Sequence, residues 1–161
     1  MKKALPFSKE QIEEIIKKYP TPFHIYDERG IRESAKQLKN AFKWAEFKEF
    51  FAVKATPNPH IVKILKEEGF GADCSSFTEL VLAERCGIVG EEIMFTSNDT
   101  PKEEFIKAKG LGAIINLDDI SHIPYLEKHA GLPEVICLRY NPGTYRNDDM
   151  FIGSPRESKY G

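Results

Sequence analysis

Cysteine is scarce. Cys74, Cys86 and Cys137 are the only three in 161 residues, and no two form a C-x-x-C pair. That excludes a disulfide scaffold and a zinc ribbon, and it points to a reducing compartment. Histidine is nearly as rare. His24, His60, His122 and His129 show neither H-x-x-x-H nor His–carboxylate spacing, so each reads as a surface or structural histidine, and no metal is expected. Neither sign of charge dominates: 23 Lys and Arg against 25 Asp and Glu leave a formal net charge of −2. A nucleic-acid partner or an acidic membrane surface is therefore not expected. No apolar run approaches the roughly 20 residues of a membrane span. Lys2 and Lys3 lack the apolar stretch behind them that would make a signal peptide, so a soluble cytoplasmic protein is expected. G-x-G-x-x-G and G-x-x-x-x-G-K-[ST] are both missing, which removes the phosphate cradles of dinucleotide and P-loop sites.

The residues that are present suffice for a core. Hydrophobic residues make up 41% of the chain and charged residues 30%, which excludes a disordered chain. Ser8 with Gln11 opens a first helix as a capping box, with Ile12, Ile15, Ile16 and Tyr19 on one face, and Pro20 and Pro22 stop it. Phe23–Tyr26 reads as a short strand. A second helix carries Ile31, Ala35, Leu38 and Phe42 on one side. A strand–helix alternation then sets in. Five apolar runs, 49–53, 71–74, 93–96, 113–117 and 135–138, are spaced about 20 residues apart, near the minimum for a strand, a crossover helix and two loops. Helix punctuation lies between them: Ile61, Ile64 and Leu65 before Gly69, Ser76 with Glu79 before Gly87, and Thr100-Pro101-Lys102-Glu103 before Gly110. Ile120, Ile123 and Leu126 suggest one more helix, with Pro124 near its start.

Such alternation predicts an α/β fold with a parallel sheet and right-handed crossovers. A complete doubly wound sheet or part of a (β/α)8 barrel would each fit. The run after Leu138 is polar and turn-rich, with no helix to cover the fifth strand, and this favours the barrel. The expectation is a partial (β/α)8 barrel of about five βα units. Residues 1–47 hold the N-terminal helices and first strand, and residues 48–161 form the first part of a barrel that continues in a longer protein.

In such barrels chemistry sits at the C-terminal strand ends. The ends here are polar: Lys54, Asp73 with Ser75 and Ser76, Ser97-Asn98-Asp99, Asp118-Asp119, and Arg139 with Asn141. Most such residues are turns and caps. Lys54 directly follows Phe50-Phe51-Ala52-Val53, and an amine leaving so apolar a run would be partly desolvated and nucleophilic toward an aldehyde. It reads equally as a lysine whose stem snorkels to the barrel mouth. Arg139 could clamp an oxyanion, phenolate or phosphate, or pair with Asp118 or Asp73. Cys74 and Cys137 read as inert buried thiols.

Four blocks, in order, carry a resemblance. Phe51-Ala52-Val53-Lys54-Ala55 with Asn58-Pro59 is the first. Gly69–Ser76 with Glu79-Leu80 is the second, Leu138–Gly143 the third and Glu157–Gly161 the fourth. Together with Thr21–Asp27 they resemble the fold-type III pyridoxal-phosphate decarboxylases, most of all the diaminopimelate branch. The resemblance implies an alanine-racemase-type (β/α)8 barrel with a C-terminal β domain outside this chain. It further implies pyridoxal 5'-phosphate as cofactor and decarboxylation of a basic amino acid, such as meso-diaminopimelate to lysine. By the same resemblance Lys54 is the lysine that holds the cofactor covalently and acts in catalysis. Asp73 and Arg139 are cofactor-binding residues, and Lys159 lies in a block that meets the partner subunit of a homodimer. The chain departs from the family by placing Thr56-Pro57 before Asn58 and by lacking a histidine in 144–150. Three alternatives stay open: a pyridoxal-phosphate carrier without decarboxylase activity, an aldolase-type barrel, and a decarboxylase for ornithine, arginine, D-amino acids or carboxynorspermidine.

Overall fold

The structure is a computed structural model that describes residues 5–141. The sequence blocks at 142–161, including Lys159, lie outside the described residues. Two helices come first, α1 (Lys9–Lys18) and α2 (Glu28–Ala41). The alternating part follows as β1 (Phe50–Ala52), α3 (Pro59–Glu67), β2 (Gly71–Cys74), α4 (Phe77–Arg85), β3 (Ile93–Ser97), α5 (Lys102–Gly110), β4 (Ile114–Leu117), α6 (His122–Ala130) and β5 (Ile136–Leu138).

All five strands pair in parallel, in the order β1-β2-β3-β4-β5. This order separates the two architectures that the sequence left open. A doubly wound sheet reverses its strand order at a switch point, whereas a sheet wound in one direction is an arc of a (β/α)8 barrel. Strand parity agrees. The register aligns Ala72 with Ile93 and Phe95 with Ile115, and these residues, with Cys74 and Leu117, are buried against the helices. Residues of the opposite parity, Asp73, Met94, Thr96, Ile114, Asn116 and Cys137, are only partly covered. The helices therefore lie on one face, and the other face is the inner wall of the arc.

The core sits between sheet and helices. Phe95 packs edge-to-face on Phe105 at a centroid distance of 6.2 Å, and both are almost wholly buried. Burying each such ring contributes on the order of 2 kcal/mol. A second cluster of Ala35, Ile61, Leu65 and Phe70 seats α2 on α3. At its rim Arg32 binds Glu28 of its own helix and Glu67 and Glu68 at the end of α3, at 2.8, 2.6 and 3.0 Å. Gly69 ends the connection with φ +88°, a conformation that costs only glycine little.

Gly71 is required for a different reason. A Cβ there would lie 2.5 Å from the Glu92 carbonyl oxygen and 2.7 Å from the Phe50 ring. Gly71→Ala is expected to lower unfolding free energy by about 2 kcal/mol, within the usual cost of overpacking. Chemical denaturation measures this, and an unchanged midpoint would mean that the β1–β2 packing is looser than described.

Most expected elements form, including the Ser8–Gln11 capping box, in which Gln11 N–H donates to Ser8 Oγ and Ser8 N–H to Gln11 Oε1. Four expectations are corrected. Phe23–Tyr26 is not a strand, because among the described residues no strand lies alongside it. The helix after Thr100 begins one residue later than expected, with Pro101 at the cap; the Thr100 hydroxyl is buried without a hydrogen bond and caps nothing. Ile120 precedes α6 and is 73% exposed, while Pro124 is accommodated in the first turn, where its missing N–H has no helical partner to lose. Cys137 is only half buried, since its parity puts it on the inner wall.

Candidate functional site

At the C-terminal end of the sheet, Lys54, Asp73, Ser75, Thr96, Ser97, Asn98 and Arg139 line a cleft of about 110 Å³. Small-molecule sites usually enclose roughly 300–1,000 Å³, so these residues supply part of a wall. The three residues singled out in the sequence converge here: Asp73 from β2, Lys54 from just after β1 and Arg139 from just after β5. Asp99, Asp119 and Asn141 do not line it. Ser76 is occupied as the cap of α4, accepting from Glu79 N–H, and Glu79 in turn accepts from Ser75 N–H at 2.9 Å.

Lys54 does not sit in the strand. β1 ends at Ala52, and Val53–Ala55 form a 3₁₀ turn in which Thr56 N–H closes on the Val53 carbonyl at 3.1 Å. Val53 is fully buried and anchors the turn. Lys54 swings out to the cleft and is exposed, so the partial desolvation expected from the preceding apolar run does not occur among the described residues. Asn58 then caps α3, accepting from His60 N–H at 2.9 Å with Pro59 at the first helical position.

Arg139 is held from two sides. Its backbone N–H donates to the Leu117 carbonyl at 2.9 Å, and its guanidinium donates through Nη1 to Asp118 Oδ1. Asp118 is the buried charged residue among those described. Of the roles open to Arg139, the pairing with Asp118 is thus realised while the side chain still lines the cleft.

Asp73 carries the most informative electrostatics. Its Oδ1 is buried without a hydrogen-bond partner. Burial pushes the Asp73 carboxyl above the usual carboxylate range; Lys54, the nearby Thr96 hydroxyl and Arg139 act against that rise, and Glu79 adds to it. Because the folded value is raised, an ionised Asp73 costs the fold stability at neutral pH, and the cost vanishes as pH falls below the ordinary carboxylate value. Asp73→Asn is therefore expected to raise the Tm of the ligand-free protein at pH 7, by about 2 °C after allowing for partial exposure. The gain should shrink toward pH 4 in a thermal-melt series, and a lower Tm at pH 7 would contradict the origin assigned to the shift.

Cys74 adjoins Asp73 but faces the helices, and burial pushes its thiol up to about 12, which removes it as a nucleophile. No cluster of His, Cys, Asp and Glu suited to a metal ion occurs among the described residues, and no helix among them is long and apolar enough to cross a membrane. Thr96 and Asn116, hydrogen-bonded to each other at 3.2 Å, were missed as site residues in the sequence. The available signal was Asn116 alone among apolar residues in β4, and Thr96 beside Ser97 at the end of the otherwise apolar β3.

Comparison with known proteins places the chain in a family. The family described as "Pyridoxal-dependent decarboxylase, pyridoxal binding domain" matches residues 28–161. Protein TabA of Pseudomonas amygdali pv. tabaci is 42% identical over 150 residues, covering 93% of this chain and 35% of that protein. The diaminopimelate decarboxylase of Methanothermobacter thermautotrophicus is 34% identical over 152 residues, covering 92% and 35%. Among solved structures, diaminopimelate decarboxylase from Helicobacter pylori complexed with L-lysine superposes with a TM-score of 0.84 at 28% identity, covering 93% of this chain and 39% of that one. The chain thus spans little more than a third of the length of these relatives.

Proposed function

Since the chain belongs to the pyridoxal-dependent decarboxylases and carries their pyridoxal-binding domain, with pyridoxal phosphate as cofactor, we propose that the full-length protein decarboxylates a basic amino acid and that Lys54, Asp73 and Arg139 serve the cofactor. The observation that carries the reading is their convergence on one cleft at the C-terminal strand ends.

The residues suit the cofactor's chemistry. Lys54 offers a primary amine, the partner an aldehyde requires. Arg139 offers a guanidinium, fixed by Asp118, to an anionic oxygen. Asp73 offers a buried acceptor that lacks a donor. When bound, pyridoxal phosphate supplies an electron sink for the pair left behind as a carboxylate departs as CO₂. The chain's own residues orient and neutralise. Arg139 keeps a positive charge at the cleft, where it attracts an amino acid's carboxylate. Asp73, when ionised, attracts its ammonium group.

As substrate we propose meso-diaminopimelate, with lysine as product. The support is the likeness to diaminopimelate decarboxylases at 34% and 28% identity. The test is an amine-product assay of the full-length protein against meso-diaminopimelate, lysine, ornithine, arginine and D-amino acids. Lysine formed from meso-diaminopimelate at a kcat/KM at least tenfold above the others is expected. Preference for another substrate would overturn the specific reading and keep the class. No CO₂ from any of them, with cofactor bound, would favour the carrier alternative.

A further inference from the structure

We infer that Asp118 is a positioning residue for the site: it stands behind Arg139, outside the cleft, and fixes the direction in which the Arg139 guanidinium meets an anionic oxygen of the bound cofactor. The inference rests on the reading above, which gives Arg139 to the cofactor, and adds a residue that acts only through it.

Two consecutive residues at the end of β4 bracket Arg139. Leu117 pairs with Leu138 in the sheet register, and the Leu117 carbonyl accepts the Arg139 N–H at 2.9 Å. That bond carries the ladder one residue past β5 and sets where the Arg139 side chain starts. The next residue takes the other end: Arg139 Nη1 donates to Asp118 Oδ1. A long side chain fixed at root and tip keeps few rotamers. Asp118 is 5% exposed and does not line the cleft, whereas Arg139 does. Its influence on a ligand in the cleft therefore passes through the guanidinium.

The chemistry of the two groups agrees. An ionised carboxylate out of water needs a charged partner, since unpaired it costs far more than paired. Arg139 is thus held to Asp118 before any ligand arrives. A guanidinium is planar and presents its N–H groups in a rigid fork, so fixing one nitrogen aims the rest. The adjacent acid has another duty: Asp119 is exposed and accepts from Ser121 N–H at 2.7 Å, just ahead of α6. Of two neighbouring aspartates, one serves the arginine and the other the helix start.

The test is a double-mutant cycle in the full-length protein, over wild type, D118L, R139M and D118L/R139M. One readout is the apparent Kd for pyridoxal phosphate, followed by visible absorbance. The other, taken without cofactor, is the order parameter of the Arg139 Nε–H signal, assigned by its loss in R139M. That order parameter is expected to fall from roughly 0.8 to below about 0.6 in D118L. Kd should rise about 30-fold in R139M and about tenfold in D118L, the scale of a lost hydrogen bond to a charged group. The double variant should bind no more weakly than R139M. Losses that multiply in the double variant, or an Arg139 signal as ordered in D118L as in wild type, overturn the inference. So does a D118L protein with lowered Tm and wild-type Kd, the mark of a purely structural pair. An R139M protein with wild-type Kd overturns instead the cofactor reading of Arg139, whatever its signal shows. Should D118L fail to fold, D118N replaces it, since it keeps the shape and an acceptor but holds a guanidinium less tightly. A Kd raised about threefold or more is then expected, and an unchanged Kd overturns the inference.

Discussion

Lys54→Ala in the full-length protein is expected to lower kcat by roughly 10⁴-fold, the scale of losing a covalent catalyst, and to leave Tm unchanged. The second half matters as much as the first. Lys54 is exposed on a turn that Val53 anchors, and surface substitutions usually stay within about 0.5 kcal/mol. A snorkelling lysine would predict no loss of activity, and a lysine needed for folding would predict a lower Tm. Lys54→Arg separates charge from nucleophilicity, because a guanidinium keeps its proton and cannot attack an aldehyde. It should be as inactive as alanine. Borohydride trapping of the cofactor should fail in both variants. Activity within tenfold of wild type in Lys54→Ala would remove the residue from the chemistry altogether.

Arg139→Ala is expected to damage fold and function together. It strips the partner from Asp118, whose side chain is 7% exposed, while Arg139 itself is 28% exposed. Breaking a buried pair costs about 3–5 kcal/mol, and the partly solvated arginine brings that to about 2–3 kcal/mol. The corresponding fall in Tm is about 6–10 °C. Activity should drop by roughly 100-fold, as when a preorganised charge on a reacting group is lost. The double variant Asp118→Leu with Arg139→Met separates the two effects. Apolar side chains of similar size should recover most of the stability and none of the activity. Recovery of both would make the pair purely structural.

How much of this could be read from the residues varies by level. The five strands were legible because buried parallel strands are short apolar runs, and the helices because their caps are chemically explicit, as at Ser8 and Asn58. Lys54, Asp73 and Arg139 were legible as chemistry-bearing types at strand ends, although only the resemblance ranked them. The way Lys54 reaches the cleft was not legible. The apolar run ends in a turn, and no propensity distinguishes Phe50–Val53 as four strand residues from three and a pivot. Thr100 shows the converse failure. It has the spacing of a cap, yet Pro101 before Lys102 takes the capping place and strands the hydroxyl. The partners of Asp73 depend on register between strands about 20 residues apart, which local sequence does not encode.

Strand parity divides the duties of this sheet between positions that never coincide. Ala72, Phe95 and Ile115 look toward the helices, and their neighbours Asp73, Thr96 and Asn116 look the other way. Substitutions at the inner positions therefore leave the helix-facing core packed as it is, and they change stability only through the charges and polar groups of the inner wall itself. A library confined to 73, 96 and 116 would vary the inner wall without repacking the side of the sheet that meets the helices.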